Sequence, residues 1–191
     1  MRRCSRLGVT ETSRYVPTNR EPLGVRLYLS RSVDDPIPPS ESLASTVVTV
    51  DGHYTLLLEP TGREFVALLE RTNGELPEDL QTAAVVLREA VVEQFELAVG
   101  VEVVDLEVAG RSERNRLRVR VWGSVLGDAT RLDHPIRSFI GVALAKILER
   151  PVESEAWTDD AENAVLAFHW EGGTPEVTDD GPTGSDPDRN P

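Results

Sequence analysis

Residues 101–122 read VEVVDLEVAGRSERNRLRVRVW, in which two runs of alternating apolar and polar side chains flank a polar turn. Such alternation predicts two antiparallel strands that bury one face. We place residue 108 opposite residue 117, because this register satisfies both faces of the pair. On the apolar face it sets Val104, Leu106 and Val108 against Val121, Val119 and Leu117. On the polar face it sets Asp105 against Arg120 and Glu107 against Arg118.

A helix is expected directly after this hairpin. Pro135 suits a first helical position, and Asp133 or His134 can cap the helix at its N-terminus. Apolar side chains then recur every three or four residues as far as Ile147, and Pro151 ends the pattern.

A second hairpin follows the helix, formed by Val152–Thr158 and Ala164–Trp170. Placing Ala156 opposite Leu166 gathers the apolar side chains on one face and sets His169 opposite Glu153. The two hairpins have similar strand lengths, so they can pair edge to edge in one sheet.

Earlier in the chain, Asp51-Gly52 is a strong signal for a two-residue hairpin turn. The other elements expected there are a strand at Val25–Ser30, hairpin strands at Thr46–Val50 and His53–Leu58, a helix at Thr61–Arg71, and a helix that begins at Pro77 and stops at Gly100. This order predicts an α+β fold, with an antiparallel sheet of hairpins and helices packed on one face.

We expect a single domain at residues 24–171, between two tails. Residues 1–31 hold seven arginines and two acidic residues, and 1–23 show no apolar periodicity. Residues 1–23 are therefore predicted to be a disordered basic arm. The alternative is a translation start assigned too early, with Val25 as one candidate for the true start. Residues 172–191 are predicted to be a disordered acidic tail.

The composition excludes several classes of protein. The 191 residues carry 33 acidic and 20 basic side chains, a net charge of −13, and 19 of the basic residues are arginines. One cysteine, Cys4, cannot form an internal disulfide or a multi-cysteine metal site, so we expect no metal and no cofactor. No apolar run reaches the ~18 residues that a membrane span needs. The net charge opposes binding to nucleic acid. We expect an acidic protein of a halophilic cytoplasm, or alternatively of a high-GC mesophile.

The connection 122–133 is the one long link inside the predicted core, and long links often carry function. It contains Ser124, Asp128 and Arg131. The five arginines between residues 111 and 120 are interpreted as partners of the facing acidic strand rather than as an anion site. We predict these ligand-binding residues: Trp122, Ser124, Arg131, His134, Arg137, Phe139 and Trp157.

From about residue 95 to residue 170 the order of features resembles the 4-vinyl reductase domain family. The matching residues are Gly100, Ser124, Pro135, Phe139, Gly141, Pro151, Val152, Glu155 and Phe168. The family's cysteines would fall near Arg137, Thr158 and Leu166, where this chain has none, so no metal site and no tetrapyrrole reduction carry over. The resemblance implies a small-molecule-sensing or partner-docking module that dimerises.

Three functions follow as expectations. The first is a non-enzymatic module that holds a small apolar ligand or a protein partner between the third helix and the sheet, as a homodimer. The second is an enzyme that uses Asp128, Arg131, Asp133 and His134. The third is a regulator whose basic N-terminal arm binds DNA.

The charge imbalance makes a prediction about salt. Carboxylates that repel one another are screened over ~3 Å at 1 M salt but over ~30 Å at 0.01 M. We therefore expect the protein to lose secondary structure when it is dialysed from about 1 M to about 0.01 M salt. Far-ultraviolet circular dichroism measures the loss, and an unchanged spectrum would contradict the halophilic assignment.

Overall fold

The computed structural model describes residues 13–18, 24–30, 35–50, 52–108 and 114–172. This part of the chain contains eight strands and three α-helices. The strands are β1 (Ser13–Pro17), β2 (Val25–Leu29), β3 (Val47–Val50), β4 (His53–Leu58), β5 (Ala98–Glu107), β6 (Arg114–Ser124), β7 (Val152–Thr158) and β8 (Ala164–Glu171). The helices are α1 (Arg63–Asn73), α2 (Leu80–Glu89) and α3 (Pro135–Leu148). None of the described helices is long and apolar enough to cross a lipid bilayer.

The eight strands form one antiparallel sheet in the order β3-β4-β2-β1-β7-β8-β6-β5. The helices bury their apolar side chains together with one face of this sheet. The α+β fold class predicted from the sequence is therefore confirmed. The predicted edge-to-edge contact of the two later hairpins is also present, because β6 pairs with β8.

The N-terminal strand β1 lies in the middle of the sheet. It pairs with β2 from Ser13 opposite Leu29 to Pro17 opposite Val25, and with β7 from Ser13 opposite Ser154 to Tyr15 opposite Val152. The prediction of a disordered arm at residues 1–23 is thus wrong for residues 13–17. A strand of five residues has too few alternating apolar and polar positions to be recognised in a segment rich in arginine. Residues 1–12 and 19–23 of that arm, and 173–191 of the predicted acidic tail, lie outside the described residues.

The register predicted for the β5–β6 hairpin is wrong. Val103 lies opposite Val119, but Asp105 lies opposite Arg118, because a β-bulge at Val104 inserts one extra residue into β5. A bulge reverses which side chains face the core in the rest of the strand. Val104 is therefore 39% exposed instead of buried as predicted.

Other predicted elements are confirmed. Ala156 lies opposite Leu166 and Glu153 opposite His169 in the β7–β8 hairpin, as the apolar pattern required. The β3–β4 turn has two residues, and Gly52 takes the positive φ of 80° that such a turn needs. Helix α3 begins at Pro135, and His134 is its N-cap.

The second helix differs from its predicted bounds. It begins at Leu80 rather than at Pro77, because the Asp79 side chain caps it by accepting a hydrogen bond from the Thr82 backbone N–H at 2.8 Å. A π-helical turn, Ala90–Gln94, extends it. Gly100, expected to stop this helix, instead lies in β5 opposite Trp122.

Two glycines allow α3 to lie against the rest of the fold. A Cβ atom on Gly141 would come within 2.2 Å of the Tyr15 ring on β1. A Cβ atom on Gly62 would come within 2.1 Å of the Phe139 backbone nitrogen, and the Gly62 N–H donates to Ser138 Oγ at 2.8 Å. A larger residue at position 141 would push α3 away from the sheet, and one at position 62 would push the start of α1 away from α3.

The central place of β1 predicts the outcome of truncation. A chain that begins at Val25 lacks the strand that joins β3-β4-β2 to β7-β8-β6-β5, so we expect it to lose cooperative unfolding. Urea denaturation followed by circular dichroism measures this. A chain that ends at Gly172 loses no described strand and serves as the control. Native-like cooperativity in the Val25 chain would contradict the placement of β1.

Candidate functional site

One face of the sheet carries charged side chains on β5, β6, β7 and β8, and we call it the open face. Leu117, Val119 and Val121 of β6 point into the core, so the arginines between them point to the opposite side. Reading across the strands, Arg118 lies opposite Asp105 on β5 and Ala167 on β8, and Ala167 lies opposite Glu155 on β7.

The arginines of β6 form ion pairs across the open face, as the sequence indicated, although with different partners. Asp105 Oδ2 accepts hydrogen bonds from Arg116 Nη2 at 2.5 Å and from Arg118 Nη2 at 3.2 Å. Arg120 contacts Glu102 Oε2 at 2.5 Å through Nη1 and Asp159 Oδ2 at 3.1 Å through Nε. These pairs align the guanidinium groups in one row.

Strand β8, which lies between β6 and β7, has small side chains at Val165 and Ala167 on the open face. Val165 and Ala167 of β8 are only 5% and 2% exposed, although they point to the open face. The long side chains of β6 on one side and of β7 on the other therefore cover them. The open face thus has a basic row on β6, an apolar floor on β8 and a row on β7 that contains Glu155 and Trp157.

The connection from β6 to α3, residues 125–134, is held by hydrogen bonds at several points. Asp128 Oδ1 accepts from the Thr130 backbone N–H at 2.9 Å and from Thr130 Oγ1 at 2.7 Å. Those two bonds lower the pKa of the Asp128 carboxyl and keep it ionised. Asp133 Oδ2 accepts from Thr61 Oγ1 at 2.6 Å and from the Thr61 N–H at 3.0 Å, which ties the connection to the start of α1.

Ser124 and His134 lie together, with Ser124 Oγ 3.2 Å from His134 Nε2. His134 Nδ1 accepts the backbone N–H of Ile136 at 3.3 Å, so in the neutral ring the proton is on Nε2. Nε2 then donates to Ser124 and cannot take its proton. A nucleophilic serine needs a base that accepts, so this pair is a helix cap rather than a catalytic dyad.

A cleft of about 230 Å³ opens beside this connection. Its walls include Trp122, Ser124 and Asp128 from one side and Thr158 and Glu162 from the β7–β8 hairpin. The charged side chains of its described walls are the carboxylates of Asp128 and Glu162. We call it the crossover cleft.

A family model described as a domain of unknown function, DUF7982, matches residues 2–170. The chain belongs to the DUF7982 family. No curated protein and no solved structure matches it.

The DUF7982 fold separates the seven predicted ligand-binding residues. Trp122 and Ser124 line the crossover cleft, and Arg131 is exposed on the connection beside it. His134 caps α3 and is 5% exposed. Trp157 lies on the open face and is 42% exposed.

The two remaining predicted residues, Arg137 and Phe139, are packed inside the protein. Phe139 forms edge-on ring contacts with Phe65 at 6.5 Å and with Phe95 at 5.5 Å. Arg137 is 2% exposed and donates through Nε to Ser154 Oγ at 2.7 Å and through Nη2 to Ser13 Oγ at 3.1 Å. Close packing thus occupies the space between α3 and the sheet where the sequence predicted a ligand.

Glu162 was missed by the sequence interpretation. It lies in the β7–β8 turn with a positive φ of 61°, far along the chain from Asp128. No local pattern marks it, because only the pairing of β6 with β8 brings that turn to the crossover. Among the described residues, no group of three or more His, Cys, Asp or Glu side chains is arranged to hold a metal ion.

The cap formed by His134 predicts a pH dependence. Burial lowers the pKa of His134 below its ordinary value of 6.5. The unfolded chain therefore binds the proton first, so stability is complete above pH 6.5 and falls as the pH decreases through the folded pKa. We expect the urea unfolding free energy to drop more between about pH 8 and about pH 5 in the wild type than in His134→Asn.

The asparagine variant retains a capping acceptor but does not titrate at this position. His134→Ala removes the cap as well, and should be less stable than His134→Asn by about 1 kcal/mol. Parallel pH profiles for the wild type and His134→Asn would contradict the role given to His134.

Proposed function

We propose that this DUF7982 domain is a non-enzymatic module that senses a small molecule in the crossover cleft. The observation that carries the proposal is the cleft itself, which is concave and has a fixed framework. Hydrogen bonds to Asp128 hold one wall, and those that Asp159 accepts from the Ala161 and Asn163 backbone N–H groups hold the other. Preformed sites of this kind bind ligands without a large ordering penalty.

The walls indicate the charge of the ligand. Asp128 uses Oδ1 on Thr130, and Oδ2 makes no hydrogen bond within the described part of the chain. Glu162 is exposed at the opposite wall, and no basic residue is among the described residues that line the cleft. Two carboxylates across a small cleft favour a cation, so we infer a small ammonium or guanidinium compound rather than the apolar ligand expected from the sequence.

The alternatives receive less support. The tautomer that His134 needs as a cap opposes its use as a base for Ser124, and Asp133 is engaged with Thr61. Arg14, a member of the basic N-terminal arm, lies within β1 and donates to the Asp35 carbonyl oxygen at 2.7 Å. We therefore prefer a binding module to an enzyme or to a regulator that binds DNA through this arm.

The resemblance to 4-vinyl reductase domains agrees with this proposal, because it implies a sensing or docking module. The DUF7982 description names no activity, so the resemblance itself stays a proposal. Of the three positions where the family's cysteines would fall, Thr158 lines the crossover cleft, whereas Arg137 and Leu166 are buried in the core. We place the module in an acidic, halophilic cytoplasm on the strength of its net charge of −13.

Calorimetry with size-matched probes tests the proposed ligand class. We expect 1,4-diaminobutane and agmatine to bind, and neutral 1,4-butanediol and anionic succinate not to bind. Asp128→Asn and Glu162→Gln should each weaken cation binding by about tenfold or more, since a hydrogen bond to a charged group contributes about 1.5–3 kcal/mol.

Asp160→Asn is the matched control, because Asp160 lies in the same turn as Glu162 but does not line the cleft. Equal binding of all four probes, or unchanged cation binding in both carboxylate variants, would overturn the proposal.

A further inference from the structure

We propose that the open face binds a second copy of the chain, through a two-fold axis that runs parallel to β8. This inference is independent of the ligand proposed for the crossover cleft. It rests on the arrangement of charge on either side of β8, which has a basic row on β6 and Glu155 and Trp157 on β7.

The spacing between strands determines which strands of the two protomers this axis would bring together. Neighbouring strands lie about 4.8 Å apart, so β6 and β7 lie at equal distances of about 4.8 Å on the two sides of β8. A two-fold axis along β8 places β6 of each protomer over β7 of the other. The two sheets would then pack face to face with nearly aligned strands, which is a common arrangement.

Side chains on β6 then face complementary side chains on β7 of the partner subunit, at the same height along the strands. Arg118 and Glu155 share one row of the sheet through Ala167, so Arg118 lies over the partner subunit's Glu155. Arg120 and Trp157 share the next row through Val165, so Arg120 lies over the partner subunit's Trp157. The first contact is an ion pair and the second is a cation–π contact.

The side chains involved have capacity for these contacts. The Arg118 side chain is 31% exposed. Glu155 is exposed and makes no ion pair in the same part of the chain, and Trp157 is 42% exposed. Val165 and Ala167 between the rows are buried, so the second sheet would contact the long side chains of β6 and β7.

Self-complementarity distinguishes a second copy from other occupants. A two-fold interface uses the same patch twice, so it needs both charges on one patch in symmetric places. On the open face, the arginines of β6 and Glu155 of β7 lie at such symmetric places on the two sides of β8. A nucleic acid would place its phosphates against Glu155 as well as against the arginines, and Asp105, Glu102 and Asp159 add further negative charge to this face.

Charge exchange tests the interface by sedimentation equilibrium, at the lowest salt at which the full chain stays folded. We expect the wild type to be a dimer, and Arg118→Glu and Glu155→Arg each to weaken dimerisation by about tenfold or more, because each sets like charges face to face. The double variant should recover the dimer. It cannot restore the contact of Arg118 with Asp105, so recovery reports the interface rather than the stability of the protomer.

Arg88→Glu makes the same charge change as Arg118→Glu, on an exposed position of α2, and should leave the dimer intact. Circular dichroism confirms that each variant is folded. A monomeric wild type, a single variant that dimerises like the wild type, or a double variant that stays monomeric would each overturn the proposal.

Discussion

The fold depends on a buried arginine that binds two strands at once. Arg137 lies in the first turn of α3, where its guanidinium donates to Ser13 Oγ on β1 and to Ser154 Oγ on β7. A buried charge is tolerated only when its donors are satisfied, so these serines are required for α3 to pack where it does. They lie opposite each other at the β1–β7 junction, where β1 joins the two halves of the sheet. One side chain thus fixes the helix and the order of the strands together.

The same packing decides which surfaces are left for binding. Tyr15 of β1 is fully buried against Gly141, and burial raises the pKa of its hydroxyl. With α3 pressed so closely on the sheet, the helical face has no space for a ligand at Phe139. Among the described residues, the surfaces outside this packing include the crossover cleft at one end of α3 and the face of the sheet that the helices do not cover. They also include a larger cavity of about 690 Å³ whose walls contain Arg14, Arg150 and Glu171.

The sequence predicted the parts of the fold whose signals are local. The two-residue turn at Gly52, the helix start at Pro135 and the register of Ala156 with Leu166 each follow from a few neighbouring residues. The predicted β5–β6 register was wrong because the alternation of apolar residues changes phase at the adjacent Val103 and Val104, and this change was not interpreted as a bulge. Strand β1 was missed because its five residues are stabilised by contacts with β7 and α3, which lie more than 100 residues away.

The candidate site shows the same division between local and distant signals. Trp122 and Ser124, which the sequence marked at the start of the long connection, lie at the end of β6 and line the cleft. Glu162 reaches the cleft through strand pairing alone. The β7–β8 turn that carries Glu162 also carries Asp159, which accepts a hydrogen bond from Arg120 on the open face. The two proposed binding surfaces therefore share one ordered turn. A ligand that binds Glu162 and shifts this turn would change the dimerisation constant by some factor. Dimerisation would then change the affinity for that ligand by the same factor, because linkage between binding equilibria is reciprocal.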